Sequence, residues 1–296
     1  MNSSSPPLLL RRQLKYLALF AGGLMICFAL SLWHLLRFCL QSDLFSYIPL
    51  IPCISLYLVW LKKETISAEG KSLRSWAALP ALAAAGALAG YWAATRSGWH
   101  PVQQETLSVM MLAFLLFFWA GCLFFLKTAT VRQIIFPIAF LAFIVPLPPF
   151  MVEVIDGFFQ YTSAAMAGAF FTVAGTPFFQ DGLQLHLPDI TLRVAPECSG
   201  IHSTVVLLIT SLLGGYLFLP AVWKRAVLVL FIVPLAIMRN GFRVFVIGEL
   251  CVHIGPQMIE SPIHRRGGPI FFALSLIPLF LLLFFLRRVG SKNPQM

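Results

Sequence analysis

Residues 201–220 read IHSTVVLLITSLLGGYLFLP, and a second apolar run at 225–247 begins just past Lys224. A helix that crosses a bilayer needs about 20 apolar residues, so each run is long enough for one span. The same reading finds six further spans at 17–36, 44–61, 76–94, 107–126, 133–150 and 268–286. Composition points the same way. Of 296 residues, 59 % are hydrophobic and 11 % charged, against roughly 45–50 % and about 25 % in soluble chains. Such a chain cannot cover its surface in water, which excludes a soluble enzyme, a disordered chain and a collagen-like fibre. The net charge of +10 falls in short basic clusters between apolar runs rather than on one face, which excludes a nucleic-acid binder. The 28 phenylalanines suit lipid-facing helices better than the alternation of a β-barrel. The fold class expected is an all-α polytopic membrane protein with about eight transmembrane helices. It forms a single integral membrane domain over residues 1–296.

The basic clusters set an orientation by the positive-inside rule. Arg11, Arg12 and Lys15 precede the first span, and Lys62, Lys63, Lys71 and Arg74 come after the second. With Lys127, Arg132, Lys224, Arg225, Arg287, Arg288 and Lys292, they place both termini in the cytoplasm. The first span ends at Arg37 without a small-residue cleavage site and reads as an uncleaved signal anchor. Parity then leaves residues 150 and 200 on the same, outer side, so 152–174 cannot make a single crossing. Glu153, Asp156, Gln160 and Ser163 fall on one helical face. That spacing predicts an amphipathic helix on, or dipping into, the outer leaflet, with Ile155, Phe158, Phe159, Met166 and Phe170 on its apolar side. Beyond it, Leu183, Leu185 and Leu187 alternate with polar neighbours, as do Ile190, Leu192 and Val194, with Pro188-Asp189 between. This predicts a short extracytoplasmic β-hairpin leading to Cys198.

Three outer elements carry candidate chemistry. Cys198 lies in Ala195-Pro196-Glu197-Cys198-Ser199-Gly200, just before the 201–220 helix. Ser199 is the expected N-cap, and Gly200 allows a tight entry. The positive end of a helix dipole favours a thiolate there. The second element is Met238-Arg239-Asn240-Gly241-Phe242-Arg243. Arg243 lies about 27 Å along a helix from residue 225, and Arg239 shares its face. Arginine at that depth either snorkels to phosphates or serves a site, as an oxyanion donor or carboxylate clamp. The third is Ser261-Pro262-Ile263-His264-Arg265-Arg266-Gly267-Gly268, where His264 is the best base candidate. His202 and His253 are rivals, and His34, His100 and His186 are assigned to structure or loops. Cys27, Cys39, Cys53, Cys122 and Cys251 lie in or beside apolar runs, where a thiol packs as a small hydrophobe. No Cys or His spacing suggests a zinc site, and no metal or organic cofactor is expected.

Together these blocks resemble the exosortase/archaeosortase family of membrane cysteine transpeptidases. The resemblance rests on Pro196-Glu197-Cys198-Ser199-Gly200-Ile201, on Asn240-Gly241-Phe242-Arg243-Val244, and on His264 with Gly267, Gly268 and Phe271-Phe272. Gly175-Thr176-Pro177 and the hairpin belong to it as well. It covers about 106–286, which would be the catalytic core behind N-terminal spans in 1–105. It implies Cys198 as nucleophile, Arg243 as essential arginine and His264 as acid/base. Arg239, Asn240, Arg265 and Arg266 are then candidate substrate-binding residues. It also implies a bacterial inner-membrane enzyme with its active site outside the cytoplasm. The substrates would be secreted proteins ending in a motif such as Pro-Glu-Pro, a spanning helix and a basic cluster. The acyl group would pass to an unidentified acceptor, often alongside exopolysaccharide production. Two features depart from the pattern. Arg265 and Arg266 follow His264 directly and disfavour imidazolium, and Arg239 is an extra arginine, so the acting guanidinium stays open. No fused accessory domain is expected after the last span.

Three other readings compete. A transferase acting on lipid-linked glycans would use the basic cluster without needing Cys198. A transporter or scaffold would line several spans with polar residues, whereas the first four are nearly free of charge. A thiol-exchange protein would pair Cys198 with Cys251.

Overall fold

The computed structural model describes residues 8–67, 70–188, 190–194, 200–261 and 267–289. The chain forms two compact units, Met1–Met151 and Val152–Met296. It is an all-α multi-pass membrane protein with one small sheet.

The first unit contains α1 (Leu8–Cys27), α2 (Ala29–Gln41), α3 (Leu50–Leu61), α4 (Arg74–Arg96), α5 (Gln103–Phe125) and α6 (Thr128–Phe140). A 3-10 turn at Leu141–Ile144 continues from α6. The long helices α4 and α5 pack through small residues, with Ala77, Ala84, Ala113 and Ala120 all buried. Lipid offers no hydrophobic drive between helices, so close approach of small side chains holds such a pair. Outward faces are apolar: Ile26, Leu30, Leu40 and Leu82 are exposed, as a lipid-facing surface requires.

Several expected spans are interrupted. The 17–36 run breaks at Phe28 into α1 and α2, bent by 73°. Phe28 seats its ring on Phe114 and Phe117 of α5, so the bend is fixed by a neighbour. The 44–61 run yields only the 12 residues of α3, because Pro49 and Pro52 are tolerated only around the first turn of a helix. The 133–150 run stops at α6 and its 3-10 turn, ahead of Pro146, Pro148 and Pro149. Among the described residues, five helical segments are long and apolar enough to cross a membrane: α4, α5 and three in the second unit. The count reaches seven if α1 with α2, and α6 with the next helix, each make one span. About eight were expected, so the described residues come close to that number.

The second unit comprises all but the first three residues of α7 (Pro149–Ala174), strands β1 (Phe179–Asp181), β2 (Gln184–Leu187) and β3 (Ile190–Arg193), then α8 (Ile201–Phe218), α9 (Val222–Leu230), α10 (Ile232–His253) and α11 (Gly268–Arg288). The predicted helix at 152–174 is present, and its polar stripe is divided, with Glu153 exposed and Asp156 half-buried. Gln160 and Ser163 are buried, while Val154, Phe158, Tyr161 and Val173 are exposed.

The predicted hairpin is β2–β3, with Leu187 opposite Ile190. A third strand, β1, joins through a turn at Gly182, whose φ of 57° suits glycine. The Asp181-Gly182 dipeptide was the available signal for that turn. Leu185, Leu187, Leu192 and Val194 bury one sheet face against Phe171 of α7 and Val244 of α10. Each such side chain removed from water contributes about 1.5–3 kcal/mol, enough to hold a sheet too small to stand alone. The helical core joins Leu207, Leu228, Ile232, Leu235, Leu279 and Leu283 of α8 to α11. Lys224 is buried and donates its Nζ to the carbonyl of Val289, beyond the end of α11.

Candidate functional site

Helix α8 begins at Ile201, with Gly200 rather than Ser199 as its N-cap. Gly200 adopts φ 69° and ψ 23°, the left-handed region that penalises a Cβ. Space forbids one as well. A Cβ on Gly200 would lie 2.4 Å from Asn240 Oδ1 and 2.7 Å from Arg239 Nη2. Glycine is therefore required twice, for its backbone and for the closeness of α10.

Arg239 and Asn240 meet Gly200 as one buried assembly. They are 7 % and 3 % exposed. Arg239 donates from Nε and Nη2 to Asn240 Oδ1 at 3.1 and 2.9 Å. Nη2 also reaches the Gly200 carbonyl at 3.1 Å and Thr204 Oγ1 at 3.2 Å. Thr204 in turn donates its hydroxyl to the same carbonyl at 2.8 Å. The second terminal nitrogen of Arg239, Nη1, is buried and finds no acceptor among the described residues. No carboxylate forms an ion pair with Arg239 among the described residues. Arg243, one turn further along α10, is half-buried on the same face.

The neighbouring residues of this turn each meet a different element. Gly241 lies against Met166 and Ala167 of α7, where a Cβ would come within 2.7 Å of Met166 Cβ. Phe242 packs its ring on Phe170 of α7 at 5.9 Å and on Phe271 of α11 at 6.3 Å. One turn of α10 therefore gathers the entry of α8, the flank of α7 and the first turn of α11. All three motif blocks contribute to this junction: Gly200 from the first, Asn240 to Phe242 from the second, Phe271 from the third.

Further along α10, Glu249 accepts from Thr176 Oγ1 at 2.5 Å and pairs with His253 Nε2 at 3.0 Å. This links the loop ahead of the sheet to the end of α10. His253 is exposed and engaged with Glu249, and His186 bonds Thr191 across β2 and β3 at 2.9 Å. The Glu249 contact was not anticipated; Thr176 and Glu249 are 73 positions apart and no local pattern joins them. Cys39, Cys122 and Cys251 are buried thiols, and Cys27 and Cys53 are exposed ones. Among the described residues, no group of three or more His, Cys, Asp or Glu side chains is arranged to hold a metal ion. Cys198, His264, Arg265 and Arg266 lie outside the described residues.

A family model described as transmembrane exosortase matches residues 39–281. With well over half of its length matched, this chain belongs to the transmembrane exosortase family. The match begins ahead of the 106–286 stretch that carries the motif resemblance and takes in α3 and α4 as well. No curated protein and no solved structure matches the chain.

Proposed function

We propose that this chain is a cysteine transpeptidase that cleaves C-terminal sorting tails of secreted proteins at the outer face of the bacterial inner membrane, with both termini in the cytoplasm. The Cys198 thiolate attacks the scissile carbonyl carbon, forming a C–S bond and an oxyanion that the Arg243 guanidinium stabilises. As the C–N bond breaks, His264 protonates the leaving amine. It then takes the proton of the incoming acceptor, whose attack breaks the C–S bond and returns the thiolate. Arg265 and Arg266 draw an acidic motif residue towards the site by charge.

The observation that carries this reading is the junction on α10. Gly200 follows Cys198 by two residues and is locked against Arg239 and Asn240. Phe271 follows His264 by seven residues and packs on Phe242, beside Arg243. Three stretches distant in sequence thus meet around one helical turn that bears two arginines, and this supports a shared site.

The test is a secreted reporter ending in Pro-Glu-Pro, a spanning helix and a basic cluster, co-expressed with the enzyme. The wild type should convert it to a shorter species on a gel, and Cys198→Ala should leave it full length. Cleavage at the normal rate by Cys198→Ala would end the nucleophile assignment. Arg243→Lys should also fail, because an ammonium lacks the planar fork.

A further inference from the structure

The bend between α1 and α2 and the shortness of α3 leave a cavity of about 570 Å³ inside the first unit. Helix α3 lines it from Pro49 to Val59, about 15 Å along the helix axis. Its walls are apolar. Among the described lining residues the one hydroxyl, on Ser55, is spent on the Pro137 carbonyl. Such a space offers water no partners and stays dry. Left empty, it deprives its lining of dispersion contacts. Met25, Leu36 and Leu56 line it and are also exposed, so it opens sideways onto the lipid-facing surface.

Size decides what can enter. A helix about 10–12 Å across takes up roughly 500 Å³ per turn, so the cavity admits one turn of a polypeptide helix and no more. A methylene group is comparable to a water molecule, whose share of volume is about 30 Å³. The same space therefore takes on the order of twenty methylenes, the scale of one acyl chain. Such a chain gains little by leaving the bilayer for an apolar cavity, so selection falls to the headgroup. Leu17 and Val59 line the cavity and pack in one cluster with Ile66, Leu126 and Val131. Within four positions of these five stand Lys15, Lys62, Lys63, Lys127 and Arg132, against the carboxylates of Glu64 and Glu69. The basic stretches are tied together there. The Thr128 amide donates to the Lys71 carbonyl at 3.1 Å, Thr130 Oγ1 to the Ser67 carbonyl at 2.6 Å and the Ser67 amide to Gln133 Oε1 at 2.9 Å.

We propose that this cavity binds one phospholipid of the surrounding bilayer with an anionic headgroup: an acyl chain fills the space between α1, α2, α3 and α5, and the phosphate lies at the basic end, beside Lys15 and Lys63. The site belongs wholly to the first unit and is independent of the cysteine reading. The lipid completes packing that the broken helices leave unfinished.

The test uses the full-length protein in a neutral maltoside detergent, with added dioleoyl phosphatidylglycerol or dioleoyl phosphatidylcholine, and counts bound lipid by native mass spectrometry. A basic residue near an anionic lipid is worth about fivefold in affinity, so Lys15 and Lys63 together should favour phosphatidylglycerol about 25-fold, with one molecule bound. Ala21→Trp places an indole in the cavity and should abolish that binding. Leu56→Trp blocks the exposed rim and keeps the test decisive if Ala21→Trp fails to insert. Lys15→Gln combined with Lys63→Gln should remove the preference between the two lipids. Equal binding of both lipids by the wild type, or binding of neither, would overturn the proposal. So would undiminished phosphatidylglycerol binding in whichever tryptophan variant inserts. Displacement of the lipid by a peptide of an apolar spanning helix would make the cavity a substrate groove and overturn it as well.

Discussion

Two groups of buried or half-buried polar side chains, one in each unit, serve carbonyls in different ways. In the first, they mend broken helices. Pro137 has no N–H, so the Gln133 carbonyl one turn back loses its helical partner; Lys62 Nζ supplies one at 3.0 Å. Ser55 donates to the Pro137 carbonyl at 2.8 Å, Trp119 to Ile138 at 3.1 Å, Ser108 to Pro146 at 2.8 Å and Gln104 to Leu147 at 2.7 Å. Each donor meets a carbonyl that a proline or a helix end left open. In the second unit, Arg239 crowds onto a carbonyl already served, and its own Nη1 has no acceptor among the described residues. The first set serves carbonyls that need a donor, whereas at Gly200 the donor comes in addition to those already there.

Mutation can undo either half of that contrast. The largest effect is expected for Gly200→Ala. Left-handed backbone alone costs a Cβ-bearing residue about 1–3 kcal/mol, and the methyl would press on Asn240 and Arg239. Reporter processing should disappear while the protein still inserts, as read by gel assay and membrane fractionation; normal processing would show that the junction tolerates a shift of α8. Thr176→Val should come next. It removes a hydrogen bond to the Glu249 carboxylate worth about 1.5–3 kcal/mol, lowering the melting temperature in detergent. Ser55→Ala leaves the Pro137 carbonyl buried without its donor and should cost about 1–3 kcal/mol. Its reporter kcat should match the wild type; a lost kcat at full stability would erase the contrast between the units. Trp119→Phe should be the mildest, about 0.5–1.5 kcal/mol in the same melting assay, with activity intact.

Much of this architecture was legible in the residues, and the failures have physical causes. Alternation at 183–194 specified β2 and β3 because a strand's period is local. β1 escaped because three residues, Phe179 to Asp181, are too few for a pattern to emerge. The long apolar runs marked the spans, but averaging over some twenty residues passes across Pro49, Pro52, Pro137 and Pro146, each of which perturbs a helix. The bend at Phe28 has no local cause at all, since its ring rests on α5. On α7, periodicity found the polar stripe but not that its later members, Gln160 and Ser163, are buried against the rest of the unit. The Gly200–Arg239 contact joins residues 39 positions apart. The motif suggested that both mattered without indicating that they touch.

The mending contacts of the first unit also carry a direction in time. Ser55, Lys62, Gln104, Ser108 and Trp119 all precede the carbonyls they serve, which lie between Gln133 and Leu147. When the ribosome delivers the proline-rich stretch, every donor has already been synthesised, and the stretch can be received by helices that entered before it. At Gly200 the order is the opposite: the carbonyl is made first, and its guanidinium arrives 39 residues later. The first unit can settle during synthesis, whereas the entry of α8 waits for its partner until α10 has been threaded into place.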